Sequence, residues 1–433
     1  MTNTDQKTKG MFSWALYDWA NSSYFVIIQT FVFAAYFTKA IAVDEITGTD
    51  QWSNMISLSG LLIALTAPFL GAIADQGGRR KPWIFFFTVV TVVASFLLWY
   101  AKPSADYIFY SLAIAFFATV GAEYAFIFYS AMLPDLVPSH KMGRWSGWGW
   151  GLGYAGGLAC LLVALYVFIE PGGKWLGLDT SSSEEIRATF ILTGIWYALF
   201  SIPLFLKTPD TPSKKKGVVR SVKDGYMQIL ASLKEVRKYK NIVRFLIARM
   251  IYNDAVVLIY GFGGIYAAGT FNMDTQDILL FGVGLNVTAG IGAFGFAWMD
   301  DKLGSKPTIM WSLVGLAVPV VAVIFVKSAA WFMIWGLILG IFFGPVQAAS
   351  RTLMGRLSPP DQRNQMFGLF ALSGKATAFL GPKLIGLTTV WFASQRVGMG
   401  VILVLLLVGL LLMLTVEDSS VNGADPEYGT KAD

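Results

Sequence analysis

Apolar stretches follow one another along almost the whole chain, each near the length a helix needs to cross a bilayer, with short polar breaks between them. A membrane-spanning helix takes about 20 mostly apolar residues. On that measure, twelve spans are predicted at roughly 13–41, 52–74, 83–101, 106–133, 145–169, 187–206, 242–268, 276–299, 307–326, 330–353, 366–392 and 397–416. No stretch between them has the length of a folded soluble domain. Backbone amides in hydrocarbon must be satisfied within the protein, which restricts a spanning chain to helices or a closed barrel, and runs this long are helical. The expected class is therefore an all-α membrane protein. The first run is far longer than the core of a signal peptide and no small-residue cleavage pattern follows it, so it is expected to stay as the first helix.

Charge supports the same reading. Only 14% of residues are charged against 55% hydrophobic, whereas soluble domains carry about 25% charged residues. The net charge of +6 is no nucleic-acid footprint, because the basic residues sit at the ends of apolar runs. With both termini placed inside, most of the 33 Lys and Arg fall in inner loops, as the positive-inside rule demands. The single cysteine, Cys160, lies within an apolar run, so the chain forms no internal disulfide. His140 is the only histidine and lies in a loop, which disfavours histidine metal clusters and catalytic triads. No Gly-Lys-Ser/Thr phosphate loop occurs, so direct drive by ATP is disfavoured, and neither an enzyme nor a cofactor is expected.

The chain divides at its longest inner segment. Residues 1–206 form an N-terminal six-helix half, 207–241 a linker, 242–416 a C-terminal six-helix half, and 417–433 an acidic tail expected to be disordered. In the linker, Val222, Tyr226, Ile229, Leu230, Leu233 and Val236 recur at helical spacing opposite Lys223, Lys234, Arg237 and Lys238, which predicts an amphipathic helix at the membrane surface.

The two halves share a loop. Gly71-Ala72-Ile73-Ala74-Asp75-Gln76-Gly77-Gly78-Arg79-Arg80-Lys81 closes the second span, and Ala297-Trp298-Met299-Asp300-Asp301-Lys302-Leu303-Gly304-Ser305-Lys306 closes the eighth. Each sets a carboxylate (Asp75, Asp301) at a helix end, a glycine (Gly78, Gly304) for a tight turn, then cations (Arg79, Arg80; Lys306). Such an aspartate can pair with its own loop arginine and face the positive N-terminus of a helix from the other half, latching the inner side. Gly71, Asp75, Gly78, Arg79, Arg80, Asp301, Gly304, Lys306 and Arg144 are the expected gate residues. The second copy, with Ala297 for the leading glycine and Ser305 for the first arginine, is expected to be the weaker latch.

The Gly-x-x-x-Asp-x-x-Gly-Arg-Arg loop resembles the signature of the major facilitator superfamily. Four further stretches narrow the likeness: Trp14-Ala15-Leu16-Tyr17-Asp18-Trp19-Ala20-Asn21-Ser22; Leu133-Pro134-Asp135-Leu136-Val137-Pro138 with Gly143-Arg144-Trp145-Ser146-Gly147 and Gly153-Tyr154-Ala155-Gly156-Gly157; Ala248-Arg249-Met250-Ile251-Tyr252-Asn253-Asp254; and Ala371-Leu372-Ser373-Gly374-Lys375-Ala376-Thr377 leading to Gly381-Pro382. Together they are similar to the vacuole-effluxer-like family, whose fungal members export amino acids from the vacuole after autophagy and whose bacterial members mostly have unknown substrates. The resemblance covers nearly the whole chain. It implies two pseudo-symmetric six-helix bundles with spans 1, 4, 7 and 10 lining a central cavity.

Ionisable residues inside spans cost about 2.5–3.5 kcal/mol each at mid-bilayer and so need a reason. They are Asp18, Glu123, Arg249, Asp254, Arg351, Lys375 and Lys383, the first five on spans 1, 4, 7 and 10. An amphoteric lining suits a zwitterion, its ammonium meeting Asp18, Glu123 or Asp254 and its carboxylate Arg249, Arg351 or Lys375. Asn21, Tyr124 and Tyr252 flank these charges and complete the predicted substrate or proton-binding set. Pairing that merely holds the bundle is the competing reading, and Asp18, Arg249 and Arg351 can equally belong to the gate. With no histidine in a helix, a coupling proton would ride on a carboxylate. The sequence thus predicts a monomeric secondary transporter for a small polar or zwitterionic solute, amino acids first, in a bacterial inner membrane with both termini cytoplasmic. A sugar or lipid-like solute, or a membrane sensor without transport, stands as the alternative.

Overall fold

The computed structural model describes residues 3–170, 176–214, 218–234, 239–273 and 275–417. Helices account for nearly all of it, in the order α1 (Asn3–Ser23), α2 (Phe33–Tyr36), α3 (Glu45–Gly77), α4 (Lys81–Leu97), α5 (Ile108–Leu136), α6 (Met142–Val163), α7 (Glu184–Lys207), α8 (Val218–Lys234), α9 (Lys240–Phe271), α10 (Thr275–Leu303), α11 (Ser305–Phe325), α12 (Ala329–Leu357), α13 (Arg363–Ser373), α14 (Leu380–Phe392) and α15 (Gln395–Leu414). Among the described residues, ten helices are long and apolar enough to cross a membrane. The first predicted span is one such path, α1 continuing through wider turns at Tyr24–Phe31 and Phe37–Ile41 on either side of α2. There Val32 N–H reaches back to the Ile27 carbonyl and Ala42 N–H to that of Phe37, five residues rather than four.

The chain divides into two compact units. The first holds Met1–Leu65, Gly78–Met132 and Leu152–Lys214; the second holds Thr66–Gly77, Leu133–Gly151 and Lys215–Asp433. The second unit therefore contains the end of α3, the end of α5 and the start of α6 together with the later helices. In the first unit α7 packs on α1 and α4; in the second, α10 and α11 pack on α12, and α9 on α15.

Two features depart from uninterrupted helices. The eleventh predicted span, 366–392, is broken: α13 stops at Ser373 and α14 begins at Leu380, with turns between. The linker does form a helix, α8, but the face it lays on the protein is small and polar. Ser221 and Gly225 are buried, and Gln228 bridges two other amides, its Oε1 accepting from Gln76 Nε2 at 2.6 Å and its Nε2 donating to Gln365 Oε1 at 2.6 Å. Val222, Tyr226 and Met227 point away from that packing and are exposed. The side chains of Ile229, Leu230, Leu233, Lys234, Val236, Arg237 and Lys238 lie outside the described residues, as does the acidic tail from 418 onward.

Candidate functional site

The two repeated loops build closely similar turns. Gly78 and Gly304 both hold positive φ, +87° and +96°, a conformation that a side chain would strain. The preceding aspartates reach helix N-termini within the second unit. Asp75, 5% exposed, accepts from Asn364 N at 3.0 Å, Gln365 N at 2.9 Å and Asn364 Nδ2 at 2.7 Å, at the start of α13. Asp301 accepts from Arg144 N at 3.0 Å in the first turn of α6, with Arg144 Nε 3.2 Å from its other oxygen. In each case a carboxylate meets the positive end of a helix and fills donors that no intrahelical carbonyl can take. Gly71 lies against the backbone of Asn364, so the helices approach closely there.

The second copy differs in its cations. Lys306 donates to the Leu414 carbonyl at 3.2 Å and that of Val416 at 2.6 Å, closing the end of α15. Arg144, from a different loop, supplies the charge at Asp301. Asp300 adds a further pair, its Oδ1 accepting from Arg356 Nη1 at 2.7 Å and from Ser305 Oγ at 2.8 Å, all three buried or nearly so. Arg356 also donates to the Ser139 carbonyl at 3.2 Å, and Arg363 pairs with Asp135. Arg351 is 1% exposed, with Nε on Ser146 Oγ at 3.0 Å and Nη2 on the Ser146 carbonyl at 2.7 Å, so it holds α12 to α6. In the first unit Arg79 is exposed and Arg80 buried, and the Arg80 and Lys81 amides at the start of α4 donate to Asp210 at 3.0 and 3.3 Å.

Within the first unit the buried charge of α1 is wrapped in aromatic rings. Asp18 is 3% exposed and accepts from the Tyr129 hydroxyl at 2.9 Å. Tyr129 stacks on Trp14 at 4.6 Å between centroids, and its carbonyl takes the Trp14 indole N–H at 3.0 Å. Tyr17 bonds Thr88 at 2.6 Å and Tyr197 at 3.0 Å. Asn21 is 2% exposed and its Nδ2 has no hydrogen-bond partner. Tyr124 is buried and stacks on Phe87 at 4.8 Å, while Glu123 on the same helix is only partly buried and lies near Tyr24.

The second unit collects the remaining predicted residues around α9. Arg249 Nη1 donates to the Phe370 carbonyl at 2.7 Å and to Ser373 Oγ at 2.9 Å. Tyr252 bonds Ser350 at 2.8 Å, Asn253 Nδ2 reaches the Gly374 carbonyl at 3.3 Å, and Asp254 is 4% exposed. Lys375 lies on the broken stretch, half-buried.

Comparison with known proteins decides what kind of machine carries these groups. The profile of the family described as "Vacuole effluxer Atg22 like" matches residues 40–422. The chain belongs to that family. It is 25% identical over 418 residues to the uncharacterized MFS-type transporter YxiO of Bacillus subtilis, covering 95% of this chain and 96% of that one. Autophagy-related protein 22-1 of Aspergillus fumigatus is 24% identical over 299 residues, 63% of this chain but 48% of the fungal protein, so the chain spans about half of that relative. Among solved structures, the proton:xylose symporter XylE aligns with a TM-score of 0.73 at 14% identity over 95% of this chain and 96% of that one. The transporter FucP in its outward conformation gives 0.75 at 11% identity over 95% and 99%. The fold is that of the major facilitator superfamily, twelve transmembrane helices in two pseudo-symmetric six-helix bundles, and the chain is an MFS-type transporter set in a membrane by multiple passes.

Within this family member, sequence reasoning passed over three groups that the structure puts to use. Asp300 was hidden by its neighbour, since the repeat aligns Asp301 with Asp75 and either aspartate of the pair could fill the role. Arg356 and Asp210 meet their partners only through folding, across 56 and 130 residues, and no local spacing announces them.

Proposed function

We propose that the chain is a secondary transporter that moves a small zwitterionic solute by alternating access, with amino acids the favoured class. The observation that carries this reading is the pair of loops in which Asp75 and Asp301 each accept backbone N–H groups at the start of another helix. Such contacts are strong while made and can be given up together, as a reversible latch requires. Buried charges of both signs supply the second support: Asp18 in the first unit, Arg249 and Asp254 in the second. In this reading Asp18, Asn21, Glu123 and Tyr124 meet the ammonium end, Arg249, Tyr252 and Lys375 the carboxylate end, and Asp254 the ammonium or a coupling proton. Arg351, held on Ser146, works with the latch.

In the same proposal the halves are residues 1–206 and 242–416, joined by the 207–241 linker, and the protein works as a monomer in a bacterial inner membrane. The termini, the linker and the latch face the cytoplasm, with the exposed apolar side of α8 resting in the lipid interface. Purified protein in liposomes, given radioactive amino acids one at a time with and without a pH gradient, tests the function. Accumulation is expected for at least one, abolished by Glu123→Gln in protein that still elutes as a single species. No accumulation of any amino acid by intact protein would sink the amino-acid reading.

A further inference from the structure

Between α13 and α14, residues 374–379 form hydrogen-bonded turns in place of regular α-helix, in the middle of a predicted span. Helix α9 runs beside this break and turns three polar residues towards it. Arg249 takes the end of α13, bonding the Phe370 carbonyl and Ser373 Oγ, and its guanidinium lies 3.5 Å over the Phe370 ring centre. Asn253 takes the Gly374 carbonyl and is itself approached by Gln347 Nε2 at 3.5 Å. Asp254 is buried and faces Thr377, yet Asp254 Oδ1 and Thr377 Oγ both lack a hydrogen-bond partner. The charge of the nearest arginine reaches Asp254, but its Nη1 is held by a carbonyl and a hydroxyl, and the carboxylate one turn further along keeps an open oxygen in the protein interior.

A buried carboxylate with an open oxygen is unfavourable unless positive charge reaches it. The helices packed on α9 bring little of it. Helix α15 is apolar from Val397 to Leu414, α12 offers Gln347 and Ser350 on this side with Arg351 held on Ser146, Lys383 of α14 is exposed, and Lys375 sits on the break itself. Carboxylate and hydroxyl oxygens are hard donors suited to a small cation without directional demands.

We propose that Asp254 and Thr377 form a site for one small monovalent cation, a sodium ion or a proton, at the break of the eleventh span. A sodium ion would be ligated by the carboxylate and the Thr377 hydroxyl. A proton would convert Asp254 into a neutral acid able to donate to Thr377 Oγ. In either form the cation ties α9 to the 374–379 turns, so its arrival and departure change how firmly the two parts of the span are held together. The role of this cation as the coupling ion rests on the transporter reading above; the site itself does not.

The test uses the purified full chain in detergent and needs no transported solute. The first arm measures saturable binding of radioactive sodium at alkaline pH; the second follows the protonated-carboxyl infrared band as pH is lowered. The site is supported by sodium binding that disappears in Asp254→Asn, weakens several-fold in Thr377→Val and is unchanged in the exposed-residue control Asp361→Asn. It is equally supported, as a proton site, by a carboxyl band lost in Asp254→Asn and shifted in Thr377→Val with no sodium bound. Sodium binding that persists in Asp254→Asn, or neither sodium binding nor a band sensitive to that change, overturns it. Should Asp254→Asn fail to give a single species, Thr377→Val decides alone, and unchanged affinity with an unchanged band overturns the site. Failure of every uptake assay would sink the transporter reading and leave these signals standing, whereas a solute accumulating with neither cation bound would sink only the site.

Discussion

Asp75 and Asp301 show how one side chain can set the end of a helix contributed from far along the chain. Each accepts backbone N–H groups that the first turn of a helix cannot satisfy internally, and each meets the positive end of that helix dipole. At Asp75 the geometry separates charge from hydrogen bonding: asparagine keeps one acceptor oxygen, alanine keeps none. Asp75→Asn is expected to lower unfolding free energy by about 0.3–1 kcal/mol, and Asp75→Ala by about 1–2 kcal/mol. Thermal unfolding of the purified variants in detergent reads the order; equal loss in both would mean that the acceptor oxygen kept by asparagine contributes nothing and the charge carries the whole effect. The aspartate, the glycine and the turn were legible in the sequence because they are local and occur twice. The partners were not. Lys306 carries the charge expected of a latch cation but its ammonium caps the carbonyl end of α15, while Arg144 and Arg356 come from elsewhere in the chain. Spacing along a chain records which residues share a turn, and only packing decides which ion meets which.

At the scale of elements, hydropathy located the spans well because each must offer its whole length to lipid or to other helices. It could not see the break at 374–379, since Gly374, Ala376, Ala378 and Phe379 keep the stretch apolar and within the span no proline comes before Pro382. The linker helix was legible as a helix through its period, yet its contact face was not. Ser221, Gly225 and Gln228 lie on one side of α8, with Gly225 against Ile73 of α3, and the small polar face is what fits against the protein. That arrangement leaves Val222 and Tyr226 exposed beside Arg220 and Lys223 near the end of a membrane-spanning helix, where apolar groups gain by entering the interface and cations by meeting anionic headgroups. A spin label on Tyr226→Cys, in protein reconstituted into vesicles with anionic lipid, is therefore expected to collide more with dissolved oxygen than with a water-soluble nickel complex. A label on Lys223→Cys is expected to show the reverse. The same water-like accessibility at both positions would place α8 in solution.

At the scale of the whole molecule, the second unit gathers polar contacts between segments distant in the chain: Asp75 on α13, Asp301 on α6, Asp300 on Arg356, Asp135 with Arg363 and Arg351 on Ser146. If these contacts govern access, weakening two of them should raise the population in which they are open, and a buried marker near them should report that population. Met142, the first residue of α6, is 3% exposed and packs beside Gly355, while the chain's own Cys160 is buried. In Met142→Cys, labelling by a membrane-impermeant maleimide is expected to be slow. Adding Asp75→Asn and Asp301→Asn together should speed it several-fold, because each lost charge removes about 0.3–1 kcal/mol from the closed state and about 1.4 kcal/mol is tenfold in population. Each single substitution should speed it less than the pair. If the double variant labels no faster than Met142→Cys alone while remaining folded, the two aspartates hold the helices in place without gating them. The repeat would then record the duplication of a half and nothing of its motion.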